Sequence, residues 1–156
     1  MPVRPSAAFA LAGLTVLTAC GSTGSPEAEV TKSVRNWTAA LTGGDPKGAC
    51  GHMTTAGQQE LARFAEGFAR TVPSADCPTN VKRFVKTINP QVQRQTLDAD
   101  VADVKVDGST ATVTMANGGP SELRLVKGDD GKWRIDQAFA HGWKLIGAPN
   151  YSQGFR

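Results

Sequence analysis

Val101-Ala102-Asp103-Val104-Lys105-Val106-Asp107-Gly108-Ser109-Thr110-Ala111-Thr112-Val113-Thr114-Met115 is the stretch that decides the fold. Ala102, Val104 and Val106 alternate with Asp103, Lys105 and Asp107, and Ala111, Val113 and Met115 alternate with threonines. A period of two puts one set on each side of a strand. Asp107-Gly108-Ser109 between the runs reads as a tight turn. Two antiparallel strands with one apolar and one polar face follow, and such a sheet needs cover on one side only.

The pattern continues downstream. Asn117-Gly118-Gly119-Pro120 reads as a connection. Leu123 and Leu125 alternate with Glu122, Arg124 and Lys127. Gly128-Asp129-Asp130-Gly131 reads as a third turn, followed by Trp133 and Ile135 among Lys132, Arg134 and Asp136. This predicts a meander of about four strands. Asp103, Asp107 and Asp136 fall on the water-facing parity unless a one-residue bulge shifts it.

Upstream, the period is helical. Ser25-Pro26-Glu27 is a helix start: a capping hydroxyl, a proline at the first position, and acids near the positive end. Val30, Val34, Trp37 and Leu41 share one face, and Gly43-Gly44 stops the helix. Asp45-Pro46 starts a short helix carrying Cys50. Thr55-Ala56-Gly57-Gln58 fits a capping box before Leu61, Phe64, Ala65 and Phe68. Cys77-Pro78-Thr79 leads into a further helix with Val81, Phe84, Val85 and Ile88 on one side, ended by Asn89-Pro90. Helices first and strands after give an α+β domain, with N-terminal helices packed on an antiparallel β-meander. Residues 26–137 form this domain. Residues 138–156, with Phe139, His141, Trp143, Tyr151 and Phe155, read as an aromatic tail packed on it.

The amino terminus has its own signature. Arg4 is followed by an apolar run from Ala7 to Val16, too short for the roughly 20 residues that span a bilayer. Leu17-Thr18-Ala19-Cys20 resembles the lipobox of prokaryotic lipoproteins: a branched apolar residue three before the cysteine, then two small ones. The resemblance implies that residues 1–19 are a signal peptide, cut between Ala19 and Cys20. It implies a diacylglyceryl thioether on Cys20, and it leaves open whether the new amino group is acylated too. Residues 20–25 would be the lipidated cysteine and a flexible tether. The implied place is extracytoplasmic, on the outer face of the cell membrane, with the lipid bilayer as partner through the acyl anchor. A plain secretory signal with a chance cysteine is the competing reading.

With Cys20 lipidated, Cys50 and Cys77 remain. In an oxidising compartment an even pair reads as a disulfide. Free thiols are one alternative. A metal site from Cys50, His52 and Cys77 is another, and it lacks a clear fourth ligand.

Val104 to Val113 and Asp130-Gly131-Lys132-Trp133-Arg134-Ile135-Asp136 are similar to strands of the nuclear transport factor 2-like, or cystatin-like cone, superfamily. Lipoproteins exported by actinobacteria often combine that fold with two cysteines in the helical part. The resemblance implies that the sheet is curved into a cone around the first helix, with a pocket at its wide end. Trp37, Trp133, His141, Trp143 and Tyr151 are the candidate pocket residues; a tryptophan on a helical stripe such as Trp37 is more often core.

Function is less legible. A formal charge of +3 is too mild to argue for nucleic acid. No Gly-x-Ser-x-Gly surrounds a nucleophile, and neither His52 nor His141 lies in a catalytic motif. Asp98, Asp100 and Asp103 lack the glycine and terminal glutamate of a calcium loop. Lys82, Arg83 and Lys86 read as a solvated face, with anionic headgroups as the functional alternative. No cofactor, no metal and no catalytic residue is expected. The expectation is a non-catalytic, membrane-anchored domain that binds a partner protein in the cell envelope. A small apolar ligand is the alternative, and an isomerase or dehydratase the remote one.

Overall fold

The computed structural model describes residues 24–69, 72, 74–87, 100–116, 119–140 and 143–144. Ala19 and Cys20 lie outside the described residues, as do His141, Tyr151, Ile88 and the side chain of Phe68. The order is α1 (Pro26–Thr42), α2 (Pro46–Gly51), α3 (Thr55–Ala69), α4 (Cys77–Thr87), β1 (Val101–Asp107), β2 (Thr110–Met115), β3 (Gly119–Pro120), β4 (Glu122–Lys127), β5 (Trp133–Gln137) and β6 (Trp143–Lys144). The fold is α+β.

Local signals place the helices. The Ser25 hydroxyl accepts from the Ala28 N–H at 3.3 Å, with Pro26 in the first turn. Val30, Val34, Trp37 and Leu41 are all buried. Asp45 caps α2 through Gly48 at 2.9 Å, and Asp76 caps α4 through both the N–H and the hydroxyl of Thr79. The cap of α3 is Thr54, one residue before the expected Thr55. Its hydroxyl accepts from the Gly57 N–H at 3.0 Å. Gln58 does not return to the cap; its amide donates to the Cys50 carbonyl at 3.0 Å. Asn80 is buried, but its amide both donates to and accepts from the Ser74 backbone, which fixes the approach to α4.

β1, β2, β4 and β5 form one antiparallel sheet in that order, the meander the alternation predicts. Gly108 and Gly131 take the positive φ that their turns require. Ala111, Val113, Met115, Leu123, Leu125, Trp133 and Ile135 are buried against the helices. The segment between α2 and α3 lies beside β5: Ile135 donates to the His52 carbonyl and accepts from the Thr54 N–H, each at 2.8 Å. Met53 and Ile135 thereby form a parallel bridge.

The cone is not formed. The sheet is not strongly curled and does not wrap α1. Its strands are only five to seven residues long. At about 3.3 Å per residue they have little length with which to bend round a helix. The helices instead cover one face as a layer, and Trp37 and Phe84 fill the space between.

Three details of the strands depart from simple alternation. Between Val101 and Asp103 the register slips, so Ala102 is the extra residue and is exposed while Val101 is half-buried on the core side. A second slip leaves Asp136 as the extra residue opposite β4. Asp136 is therefore half-buried and accepts from the Thr54 hydroxyl at 2.7 Å, rather than facing water. The connection expected at 117–120 contains a short strand, in which Gly119 and Pro120 pair with Lys144 and Trp143.

Cys50 and Cys77 form a disulfide with Cα atoms 6.1 Å apart, 27 residues apart in sequence. It ties α2 to the start of α4. Closing a loop of this length stabilises by roughly 3–4 kcal/mol in the chain-entropy picture.

Candidate functional site

Glu29, Lys32, Ser33 and Asn36 recur along α1 at helical spacing, so they form one stripe beside the buried face. The stripe runs past the β4–β5 turn. There, Gly131, Lys132 and Trp133 close an open cleft of about 230 Å³, with His52 at the end of α2 completing the wall. The Ser33 hydroxyl donates to the Trp133 carbonyl at 2.6 Å and pins helix to strand.

Lys127 is the residue that alternation misplaces. It shares the parity of Leu123 and Leu125, pairs across the ladder with Trp133, and so lies on the helix side of the sheet. Its ammonium is 3.1 Å from a Glu29 carboxylate oxygen and 5.5 Å from the centre of the Trp133 ring. Both charged side chains keep about a third of their surface, 34% and 30%, in water. The ion pair is therefore worth about 1 kcal/mol or less. The ring contact adds a cation–π term of about 0.5–1 kcal/mol.

Electrostatically the lining is lopsided. The Glu29 charge is met by Lys127. Lys32 and Lys132 are exposed and have no ion pair among the described residues. Asn36 and His52 add hydrogen-bonding groups. The Ser33 proton is engaged by a backbone carbonyl, not by a base, so among the described residues the cleft shows no nucleophile–base pair of the hydrolytic kind.

Of the candidate pocket residues, Trp37 is 1% exposed and belongs to the core. Trp133 is 5% exposed and serves both the core and the cleft wall. The indole nitrogens of both are buried without a hydrogen-bond partner among the described residues. Trp143 lies in β6 opposite Pro120. His141 and Tyr151 lie outside the described residues. Cys50 and Cys77 are consumed by the disulfide. Among the described residues no group of His, Cys, Asp and Glu is arranged to hold a metal ion.

No family model, curated protein or solved structure matches this chain.

The basic trio on α4 divides. Arg83 donates to the Val72 carbonyl at 2.7 Å, holding the loop before α4, while Lys82 and Lys86 are exposed. Sequence reasoning named Trp133 of the cleft and missed its polar lining, because it looked for aromatic pocket walls. The available signal was the polar stripe on α1, which at positions Glu29, Lys32, Ser33 and Asn36 keeps the same spacing as the core stripe beside it.

Among the described residues no helix is long and apolar enough to cross a membrane.

Proposed function

We propose that this chain is an exported lipoprotein, held on the outer face of the cell membrane through lipidated Cys20, whose domain acts there as a non-catalytic binding module. The lipobox Leu17-Thr18-Ala19-Cys20 carries the reading. The Cys50–Cys77 disulfide supports it, because such bonds persist in oxidising compartments and are rare in the cytosol. Two acyl chains on one thioether make a stable anchor, whereas one chain holds a protein only marginally. The resemblance to cone domains contributes nothing further, since the cone itself is absent.

The binding role is supported by the lining of the cleft. It offers ammonium, amide and imidazole groups without an activated nucleophile. Trp37, the first candidate for an apolar ligand cavity, is packed in the core.

Expression of the whole precursor in a bacterial host, followed by detergent-phase partition and mass analysis of the amino-terminal peptide, tests the anchor. The wild type is expected in the detergent phase with a diacylglyceryl mass on Cys20. Cys20→Ser is expected in the aqueous phase or as uncleaved precursor. A variant that is cleaved and partitions like the wild type defeats the lipoprotein reading.

A further inference from the structure

Cys20 to Ser25 is a short leash. At about 3.3–3.6 Å per extended residue, it holds the start of α1 within about 20 Å of its anchor point. α1 begins at the same end of the sheet as the two hairpin turns. The Glu29 carboxylate meets the Lys127 ammonium at the end of β4, and the Lys127 backbone N–H donates to the Ser109 carbonyl in the β1–β2 turn at 2.8 Å. The cleft opens at this end, between the first turns of α1 and the β4–β5 turn. The other end carries the Phe64, Phe84 and Phe139 cluster, beyond the close of β5. The C-terminal half of α4, with Lys86, belongs to that remote end.

We propose that the cleft binds a phosphate-bearing group, and that the group is a phospholipid headgroup of the membrane to which the tether holds the domain. The charge of the lining carries the chemistry. Lys32 and Lys132 supply cations from opposite walls, Glu29 is neutralised by Lys127, and Asn36 can donate a hydrogen bond. The source of the phosphate rests on the lipoprotein reading; the phosphate chemistry does not. A further consequence is that Lys86, at the remote end with Phe84, is not the headgroup contact.

Hydrogen exchange of the full acylated chain, read by mass spectrometry over residues 29–36 and 128–134, tests both parts. Local opening slows in proportion to occupancy, by about tenfold when ligand exceeds its dissociation constant by about that factor. The expected result is slowing of both segments in phosphatidylglycerol vesicles relative to uncharged glycoside-detergent micelles, and its loss in Lys32→Ala/Lys132→Ala. Inorganic phosphate added to the micelles is the second arm. Slowing there but not in vesicles keeps the phosphate cleft and overturns the headgroup. No slowing in either arm, or slowing that survives the double substitution, overturns the cleft. Absence of acyl chains on Cys20 in the same mass spectra defeats the lipoprotein reading instead, and the phosphate arm still judges the cleft.

Discussion

Gly57 lies so close to Ile135 that a β-carbon added to it would stand 2.5 Å from the Ile135 carbonyl oxygen. The contact lets the first turn of α3 lie directly on the backbone of β5, where the Thr54 hydroxyl also reaches Asp136. Inside a helix, alanine is ordinarily better than glycine by about 1 kcal/mol. Here the sign reverses, because the clashing atom is backbone and cannot swing aside. Gly57→Ala is expected to destabilise by about 1–3 kcal/mol, the usual cost of overpacking. Urea unfolding followed by tryptophan fluorescence checks it; a gain in stability would mean that α3 and β5 are not in this contact.

Glu60 holds the chain as it leaves the sheet. One carboxylate oxygen accepts from the N–H groups of Ala138 at 2.7 Å and Phe139 at 3.2 Å. Those bonds position Phe139 to stack on Phe64 at 4.7 Å and meet Phe84 edge-on at 5.6 Å. Glu60→Ala is expected to cost about 2 kcal/mol, in the range for hydrogen bonds to a charged group. Glu60→Gln keeps an acceptor and should fall between. If the alanine and glutamine variants unfold at the same urea concentration as the wild type, the two bonds have no energetic role.

The disulfide joins helices that already pack on each other, so its loss should weaken the domain without changing its topology. Cys50→Ala with Cys77→Ala is expected to lower the unfolding free energy by about 2–5 kcal/mol. Reduction of the wild type should reproduce most of that loss. Non-reducing mass analysis of the exported protein should also find the pair oxidised, and free thiols at both positions would contradict the bond.

Asp130 and Arg134 close the β4–β5 turn through two bonds, at 2.9 and 2.6 Å. The Arg134 guanidinium donates to the Asp130 carboxylate and holds its pKa at about 2, below an ordinary value of 3.8. The folded pKa is the lower one. The contribution of this pair is therefore complete above the ordinary carboxylate range and is lost as pH falls through about 2. A carboxyl-carbon NMR titration should place the Asp130 midpoint there. Arg134→Met should return it towards about 4. A wild-type midpoint at the ordinary value would show that the turn is open in solution.

The helical half of the domain was readable from local signals except at the cap of α3. Ser25 and Pro26 act within one turn, and Val30, Val34, Trp37 and Leu41 need only the helical period to be found together. The strands were readable as strands, yet three side chains were misplaced. Ala102 and Asp136 fall at register slips, which depend on how a partner strand aligns. Lys127 has the parity of a core residue and the chemistry of a surface one, so charge alone sends it to the wrong face. The cap of α3 moved by one residue because Thr54, not Thr55, is held beside Asp136 and Ile135.

By itself the sequence determined the four helices and the main strands found among the described residues. Each of these depends on neighbours a few residues apart, where backbone preference and side-chain period act. The tertiary structure alone decided that the sheet stays open rather than curling, and that Glu29, Lys127 and Trp133 meet. It also decided that Lys32 and Lys132, which have no ion pair among the described residues, line one cleft. Those outcomes depend on which residues become neighbours across the sheet and between layers. That choice is made by register, strand length and packing, which no local stretch contains.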